Sequence, residues 1–303
     1  TFYYGLSNAG TIDVASGANA RLENYNQDNS FGDGSVLSGA GSFTLEANCT
    51  INGVVNVDIE TFILNSLYYG FYGTGIMTFN HNFDWQAGSV NNTIVISTGN
   101  SLNLTGLGSK ILNGTLTNHG TVNCDSDFYT GYDAVVNNNS SFNLTGDNIF
   151  GAGYGFAGQF NNAGVLNKSS AGTLVFGMFL NNLSSGTGSI LNGVMEVGKL
   201  DNAGSLVVSE NATLTIKSGS NLSGGTVSGI GTLRIQDNGW HLSSTLVING
   251  LNLEIAGNLT GDAGASLEIE SMASWFGGDL VVPCNVAANG VLHIPDGGFP
   301  SLS

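Results

Sequence analysis

Residues 202–216 read NAGSLVVSENATLTI, and this stretch decides the fold. Its second half, Thr213-Leu214-Thr215-Ile216, alternates polar and apolar side chains, which is the period of a half-buried β-strand. Its first half, Asn202-Ala203-Gly204-Ser205-Leu206, puts Asn and Gly before an apolar residue, and both residue types tolerate the positive φ of sharp turns. The stretch therefore predicts short strands joined by tight corners.

Working outward, three sequence forms recur along the chain. Asn-x-Gly-x-apolar begins at Asn8, Asn118, Asn162 and Asn202. A second form, Gly-x-apolar-x-Gly-x-Gly-x-apolar, covers 34–43 and returns at 225–233. The third is an apolar strand after a small polar turn, as at 100–104, 140–144, 211–216 and 265–269. Multiples of roughly 20 residues recur in the spacing, which is typical of the coils of a parallel β-helix.

Composition supports the same fold. Gly occurs 46 times and charged residues make up only 9%, so helix-forming side chains are sparse and Gly and Asn interrupt most helical windows. Hydrophobic residues reach 41%, which excludes a disordered polar chain. The sequence predicts an all-β, right-handed parallel β-helix with coils of roughly 20 residues. We expect a single continuous solenoid over 1–303, with aromatic-rich excursions near 65–85 and 128–156, and Asn side chains hydrogen-bonded in ladders at matching corners.

The strings NAGTIDV (8–14), DWQAGSV (84–90), NAGSLVV (202–208) and GGTVSGIGTLRI (224–235) carry a resemblance. They resemble the degenerate repeats of large bacterial secreted proteins: filamentous-haemagglutinin-like and autotransporter-passenger-like solenoids, and the repeats of giant surface proteins of Bacteroidetes type. The resemblance covers most of the chain and is architectural. It implies a β-helix at a bacterial cell surface or outside the cell, and such proteins include adhesins, filaments, stalks and some enzymes.

Charge excludes one class of partner. The formal net charge is −16, with six cations, and phosphate binding needs clustered Lys and Arg, so the sequence argues against nucleic acid. No apolar run is long enough to predict a membrane-spanning helix. The chain starts at Thr1 without a signal peptide, which we interpret as a mature form or an excised fragment. Cys49, Cys124 and Cys284 are too few and too widely spaced for a disulfide framework, and we expect buried small hydrophobes.

Aromatic side chains are the candidate contact residues. An aromatic face suits the apolar face of a sugar ring, although the interpretation we favour is a Phe/Tyr stack inside the solenoid or packed between loops. The predicted glycan or partner contacts are Tyr68, Tyr69, Phe71, Tyr72, Trp85, Tyr129, Tyr132 and Tyr154.

No cofactor is expected, with calcium at Asp125 and Asp127 as a weaker alternative, since these carboxylates would share one strand face. His81 with Asp84, and Asp237 with His241, are interpreted as exposed polar residues rather than acid–base pairs. Enzymatic β-helices that cleave pectin cluster carboxylates with Arg or Lys, and two arginines make such a cluster improbable in this chain. A glycosidase, in contrast, needs only two carboxylates. We therefore expect a non-enzymatic protein with no catalytic residues.

Three functions remain open at this point. The favoured one is an extracellular structural or adhesive module that assembles end to end into a filament, stalk or sheath, through self-association or through neighbouring domains of a longer chain. The alternatives are a carbohydrate-binding adhesin module and a polysaccharide-cleaving β-helix enzyme.

Overall fold

The computed structural model describes residues 1–23, 28–131, 133–152, 158–217, 219–237, 240–295 and 301–302, with the backbone alone at 67, 68, 152, 301 and 302. All regular structure in these residues is β-strand, and no helix occurs among them. The strands stack in parallel into a β-solenoid of about 14 turns with roughly 20-residue spacing, as the repeats predict.

The strands of the first part of the chain are β1 Ser7–Asn8, β2 Thr11–Asp13, β3 Asn19–Leu22, β4 Ser30–Gly32, β5 Val36–Leu45, β6 Cys49–Asn52, β7 Val54–Tyr72, β8 Ile76–Phe79, β9 Asn82–Val90, β10 Thr93–Ile96, β11 Ser101–Leu104, β12 Lys110–Leu112, β13 Thr115–Asn118, β14 Thr121–Cys124, β15 Phe128–Thr130, β16 Val135–Asn138, β17 Ser141–Leu144 and β18 Ile149–Ala152.

The remaining strands are β19 Gln159–Asn162, β20 Val165–Lys168, β21 Thr173–Asn182, β22 Thr187–Ile190, β23 Gly193–Asn202, β24 Ser205–Val208, β25 Ala212–Ile216, β26 Ser220–Leu222, β27 Thr226–Gly229, β28 Thr232–Ile235, β29 Trp240–Leu242, β30 Leu246–Ile248, β31 Asn252–Ile255, β32 Leu259–Gly261, β33 Leu267–Ile269, β34 Met272–Trp275, β35 Asp279–Val281, β36 Cys284–Val286, β37 Val291–His293 and β38 Ser301–Leu302.

Contacts divide the chain into two compact units. Unit 1 comprises 1–143 with 148–159, and unit 2 comprises 144–147 with 160–303. Each unit has its own hydrophobic core and is described by itself.

Each turn of unit 1 has three sides. One side runs through β2, β5, β7, β8, β10, β13 and β16. A second, the asparagine side, runs through β3, β5, β7, β9, β11 and β14. The third, the tyrosine side, runs through β4, β6, the end of β7, the end of β9, β12, β15 and β18. The long strands β5 and β7 bend across more than one side, with shifts of register at the bends.

The cores form because side chains alternate between inside and outside along every strand. In unit 1, Phe43, Phe62 and Phe83 point inward on successive turns; Phe43 stacks on Phe62 at 5.6 Å between ring centroids, and Phe83 packs edge-on against Phe62 at 5.7 Å. In unit 2, Leu214, Leu233 and Leu253 lie in register and are buried. A fully buried Leu or Phe contributes about 1.5–3 kcal/mol relative to an exposed one, so repeating one apolar position per turn stabilises the stack.

Asparagine ladders lie at the corners, as predicted. In unit 2, Asn162, Asn182 and Asn202 are fully buried. The Asn162 amide donates to Asn182 at 2.8 Å and the Asn182 amide to Asn202 at 2.7 Å, while the Asn202 amide donates to the Thr226 carbonyl at 3.1 Å. Asn118 donates to Asn138 in the same way in unit 1, at 2.8 Å. Gly204 follows the ladder because a Cβ there would lie 2.3 Å from the Gly186 carbonyl oxygen. A Cβ at Gly120 would lie 2.2 Å from the Asn100 carbonyl oxygen, whereas one at Gly10 would meet nothing within 4 Å. The Gly of the Asn-x-Gly form is therefore a packing requirement at Gly120 and Gly204.

One side of unit 2 has a gap in its ladder. β20, β22, β24 and β27 pair in sequence, but β30, β33 and β36 form a separate three-stranded sheet. Hydrogen bonds close the turn on both flanks, from Ser243 N to Leu222 O at 3.0 Å and from Asn252 N to Gly231 O at 2.9 Å. The interruption is therefore local to the facing strands β27 and β30.

Candidate functional site

The tyrosine side of unit 1 presents a row of outward-facing side chains. Tyr129 lies between the buried residues of β15 and pairs in register with Ile111 of β12, which also faces outward. Ile111 pairs with Ser89 on the preceding turn. Tyr72 ends β7 on the same side and is 36% exposed. This side therefore combines aromatic, aliphatic and hydroxyl groups.

Three of the predicted contact tyrosines are described here. Tyr72 is exposed, while Tyr69 and Tyr129 are half-buried. The Tyr129 hydroxyl donates to Oδ2 of Asp127 at 3.2 Å, which fixes the ring orientation. The side chain of Tyr68 and all of Tyr132 and Tyr154 lie outside the described residues.

The prediction that Phe71 and Trp85 are surface contact residues is wrong. Both are fully buried. The Trp85 indole packs edge-on against Phe128 at 5.7 Å, and its Nε1 donates to the Gly88 carbonyl at 3.1 Å. Phe71 packs against Phe62 at 5.8 Å. Alternation points both side chains inward, so they belong to the core and offer no face to a ligand.

A cavity of about 320 Å³ lies at the corner that leads into the tyrosine side. It is lined by Gly106, Leu107, Gly108, Ser109, Asp125, Ser126, Asp127 and Asn148. Asp127 is held in place, since its Oδ1 accepts from the Ile149 amide at 3.0 Å and its Oδ2 from Tyr129. In contrast, Nδ2 of Asn148 is screened from solvent and makes no hydrogen bond in the described part of the chain. Asp127 is therefore a fixed part of the cavity wall, whereas Nδ2 of Asn148 is itself buried.

Lys110 supports the loop 106–108 at this corner. Its side chain is buried, and Nζ donates to the carbonyl oxygens of Gly106 at 3.1 Å and Gly108 at 2.8 Å. Burial lowers the pKa of Lys110, while the neighbouring Cys124, Asp125 and Asp127 act in the opposite direction. The ammonium group therefore stabilises the loop at Gly106 and Gly108.

Calcium at Asp125 and Asp127 stays a prediction. One of the two carboxylates, that of Asp127, already accepts two hydrogen bonds. Within the described ranges, no group of three or more His, Cys, Asp or Glu side chains is arranged to hold a metal ion.

Each of the six cations has a partner. Lys110 and Lys168 are buried and donate to backbone carbonyls, Lys168 to those of Ser170, Gly172 and Asn192 at 2.5–2.8 Å. Arg21, Lys217 and Arg234 contact Glu46, Glu196 and Glu254, respectively. Lys199 lies 4.7 Å from the ring centroid of Phe179. The surface is therefore acidic and polar, with its positive groups already engaged.

The paired acid–base candidates are not brought together by the fold. His81 lies 3.9 Å from Glu60, whereas Asp84 accepts from Nδ2 of Asn103 at 2.8 Å. His241 contacts Thr260 at 2.9 Å and Asp262 at 3.1 Å through its two ring nitrogens. His81 and Asp237 are exposed, as the sequence predicts, whereas Asp84 and His241 are half-buried.

Sequence reasoning missed Ile111, Asn148 and the corner cavity. A strict alignment of turns would have found Ile111, because it stands in register with Tyr129. No pattern marks Asn148, whose position depends on the path of an irregular corner.

No protein-family model, curated protein or solved structure matches this chain. Among the described residues, no helix has the length and apolar character needed to span a membrane.

Proposed function

We propose that this chain is an extracellular structural or adhesive β-solenoid module, of the kind found at bacterial cell surfaces. The observation that carries the proposal is a row of hydrogen-bonded amides on the outside of unit 1. Asn143 donates to Asn123, and Asn123 to Asn103, at 3.0 Å each, and Asn103 donates to Asp84. Such a row holds one polar group per turn at the strand spacing of about 4.8 Å. A repetitive row of amides of this kind suits contact with an extended partner.

The partners we propose are further copies or neighbouring modules of a longer chain. In unit 1, β1 and β2 are hydrogen-bonded on one edge, to β4 and β5. In unit 2, β37 and β38 pair with β34 and β35. Main-chain groups on the other edge of such a strand can add a strand from another module. This supports end-to-end assembly into a filament, stalk or sheath.

Electron microscopy and light scattering test the structural half of the proposal, and retention of protein-coated beads on polysaccharide-coated surfaces tests the adhesive half. We expect filaments or higher oligomers, or bead retention above that of albumin-coated beads. A monomer at every concentration, together with beads that do not adhere, would overturn the proposal.

We expect the chain to cleave no polysaccharide. Incubation with neutral and acidic polysaccharides should release no new reducing ends and no unsaturated products. Release of either product would favour the polysaccharide-cleaving alternative instead.

A further inference from the structure

We propose that the Asn52-Gly53 corner of unit 1 is a site of spontaneous chemical modification, at which the Asn52 side chain loses ammonia and becomes aspartate or isoaspartate. Among the described residues, both reacting groups of this pair are free of hydrogen-bond partners, and this sets it apart from other Asn-Gly pairs of the chain. The modification is independent of the proposed function, because it needs no partner.

The reaction needs only the chain itself and water. The main-chain nitrogen of Gly53 attacks Cγ of Asn52, gives up its proton to water, and displaces Nδ2 as ammonia, which closes a succinimide ring. Water then opens the ring. Addition at Cγ leaves aspartate, and addition at the Asn52 main-chain carbonyl carbon leaves isoaspartate, in which the chain runs through Cβ and Cγ. Glycine favours the attack because it has no side chain beside the nitrogen.

The corner after β6 leaves both reacting groups available. Asn52 ends β6 with an exposed side chain that makes no hydrogen bond to any described residue. The Gly53 nitrogen likewise donates to none of them. Its neighbouring groups are held, because the Val54 nitrogen donates to Oδ1 of Asp33 at 2.9 Å and the Ile76 nitrogen to the Gly53 carbonyl at 2.8 Å. The corner is therefore fixed around the one amide that has to react.

Three other Asn-Gly pairs have the attacking nitrogen engaged. In each pair the Gly nitrogen donates to a main-chain carbonyl at 2.9–3.2 Å: Gly114 to Val90, Gly193 to Asn211 and Gly290 to Ala287. The side chain of Asn113 is also engaged, since its Nδ2 donates to Oδ1 of Asn91 at 2.6 Å. Each hydrogen bond to a Gly nitrogen must open before attack, so the rate falls with the fraction of time that the corner is open.

Asn249-Gly250 in unit 2 is the intermediate case. Its Gly nitrogen donates to no residue in the described part of the chain. The Asn249 amide, however, donates to Oε2 of Glu270 at 2.9 Å, which restrains the side chain. The sixth Asn-Gly pair, Asn238-Gly239, lies outside the described residues.

Conversion of Asn52 changes the corner in two ways. It places a carboxylate on the residue that pairs in register with Gly32, next to the exposed Asp33, in a chain whose net charge is already −16. Like charges in the folded state repel one another and weaken it. Isoaspartate also lengthens the main chain by one carbon atom between β6 and β7, which disturbs the register of the pairs on either side.

The test follows conversion in the full chain, kept folded in mildly alkaline buffer and sampled over weeks. Mass spectrometry of peptides measures conversion at each Asn-Gly pair, and electron-transfer fragmentation separates isoaspartate from aspartate. The same incubation in urea controls for sequence, because no hydrogen bond protects any pair in the unfolded chain. Asn52→Gln is the variant at the site, since the longer side chain closes an imide ring less readily. Asn113→Gln is its matched control, because Asn113 is also exposed and precedes Gly in unit 1.

In the folded chain we expect Asn52 to convert at least about tenfold faster than the Asn of each engaged pair, with Asn249 between them. In urea the rates should agree within about threefold. Hydroxylamine, which attacks the imide, should cut the folded natural chain and Asn113→Gln first after Asn52, and should not cut Asn52→Gln there. Conversion of Asn52 no faster than that of Asn113 in the folded chain would overturn the assignment, as would an unchanged spread of rates in urea.

Discussion

Buried asparagines occupy the corners of the core, where they stabilise the stack through hydrogen bonds rather than through apolar contact. An amide inside a protein is costly unless its donors and acceptors are paired. Asn182 accepts from Asn162 and donates to Asn202 at 2.7 Å, so its polar groups are used within the stack. The ladder also fixes the register between neighbouring turns, because a shift of one residue would separate every Asn from its hydrogen-bond partner.

Substituting Asn182→Ala should therefore lower the free energy of unfolding by about 2 kcal/mol, since it leaves the Asn202 oxygen without its donor. Urea unfolding followed by circular dichroism measures the change. The matched control is Asn181→Ala, whose amide lies outside, half-buried, and bonds Asn161 at 3.2 Å. Equal losses in the two variants would contradict the role given to the buried ladder.

Cysteine ionisation gives a second prediction at this scale. Burial raises the pKa of Cys49 and of Cys124 from 9.0 to about 12. Above pH 9.0 these thiols ionise in the unfolded chain and stay protonated in the folded one. The stability they contribute is thus complete below pH 9.0 and is lost as the pH rises toward about 12.

Each thiol should make the free energy of unfolding fall by about 1.4 kcal/mol per pH unit within that window. Urea unfolding between these pH values should show a shallower slope for a Cys49→Ala, Cys124→Ala double variant than for the natural chain. Cys284→Ala is the control, because Cys284 is half-buried and should alter the slope less. Identical slopes in the natural chain and the double variant would disprove the assignment.

The gap between β27 and β30 is the main irregularity at the scale of elements. Successive residues of a parallel strand direct their main-chain groups to alternate neighbours. Thr226 N donates to Gly204 O, so the main-chain groups of Val227 face β30 instead. Leu246 N donates to Ser266 O, so those of Val247 face β27. A cavity of about 230 Å³ lies between the two strands, and water can reach these groups there.

We expect the amides of Val227 and Val247 to exchange with deuterium at least about tenfold faster than the amide of Leu206. Leu206 pairs in register with Val227 and lies in the intact ladder between β24 and β27. Its amide is therefore the matched reference. Hydrogen exchange followed by NMR resolves the three amides. Equal protection at all three positions would show that the ladder is closed in solution.

Charge is the dominant property of the whole molecule. The chain has 22 acidic residues and only six Lys and Arg residues. Exposed ion pairs contribute only about 0–1 kcal/mol each, so the engaged surface cations do not offset the repulsion among the remaining carboxylates. The folded state concentrates this charge, whereas the unfolded chain spreads it.

Raising NaCl from about 0.01 M to about 0.15 M shortens the Debye length from about 30 Å to about 8 Å, and should therefore raise the urea midpoint of unfolding. Neutralising two exposed carboxylates, with Glu60→Gln and Glu210→Gln, should reduce that response. A midpoint that falls with salt would mean that the ion pairs outweigh the repulsion.

The sequence by itself determined the fold class of this protein. Alternation in runs such as Thr213-Leu214-Thr215-Ile216 sets which side chains are buried, and the Asn-x-Gly form sets the corners. Alternation is a local property, dictated by strand geometry, so it can be derived without knowing the contacts. The reason for Gly at Gly120 and Gly204 is instead the close approach of the preceding turn, which only the tertiary structure shows. The ladders followed from the same reasoning, since matching corners must stack.

Only the tertiary structure decided the candidate site. Trp85 and Tyr129 are both aromatic residues in strands, yet one is buried and the other faces outward, and a shift of one residue reverses such an assignment. Asn148 meets Asp125 and Asp127 because three irregular corners stack, and the sequence spacing of those loops does not encode their paths. The gap at β27 and β30 likewise depends on how neighbouring turns fit, which is a property of the assembled stack.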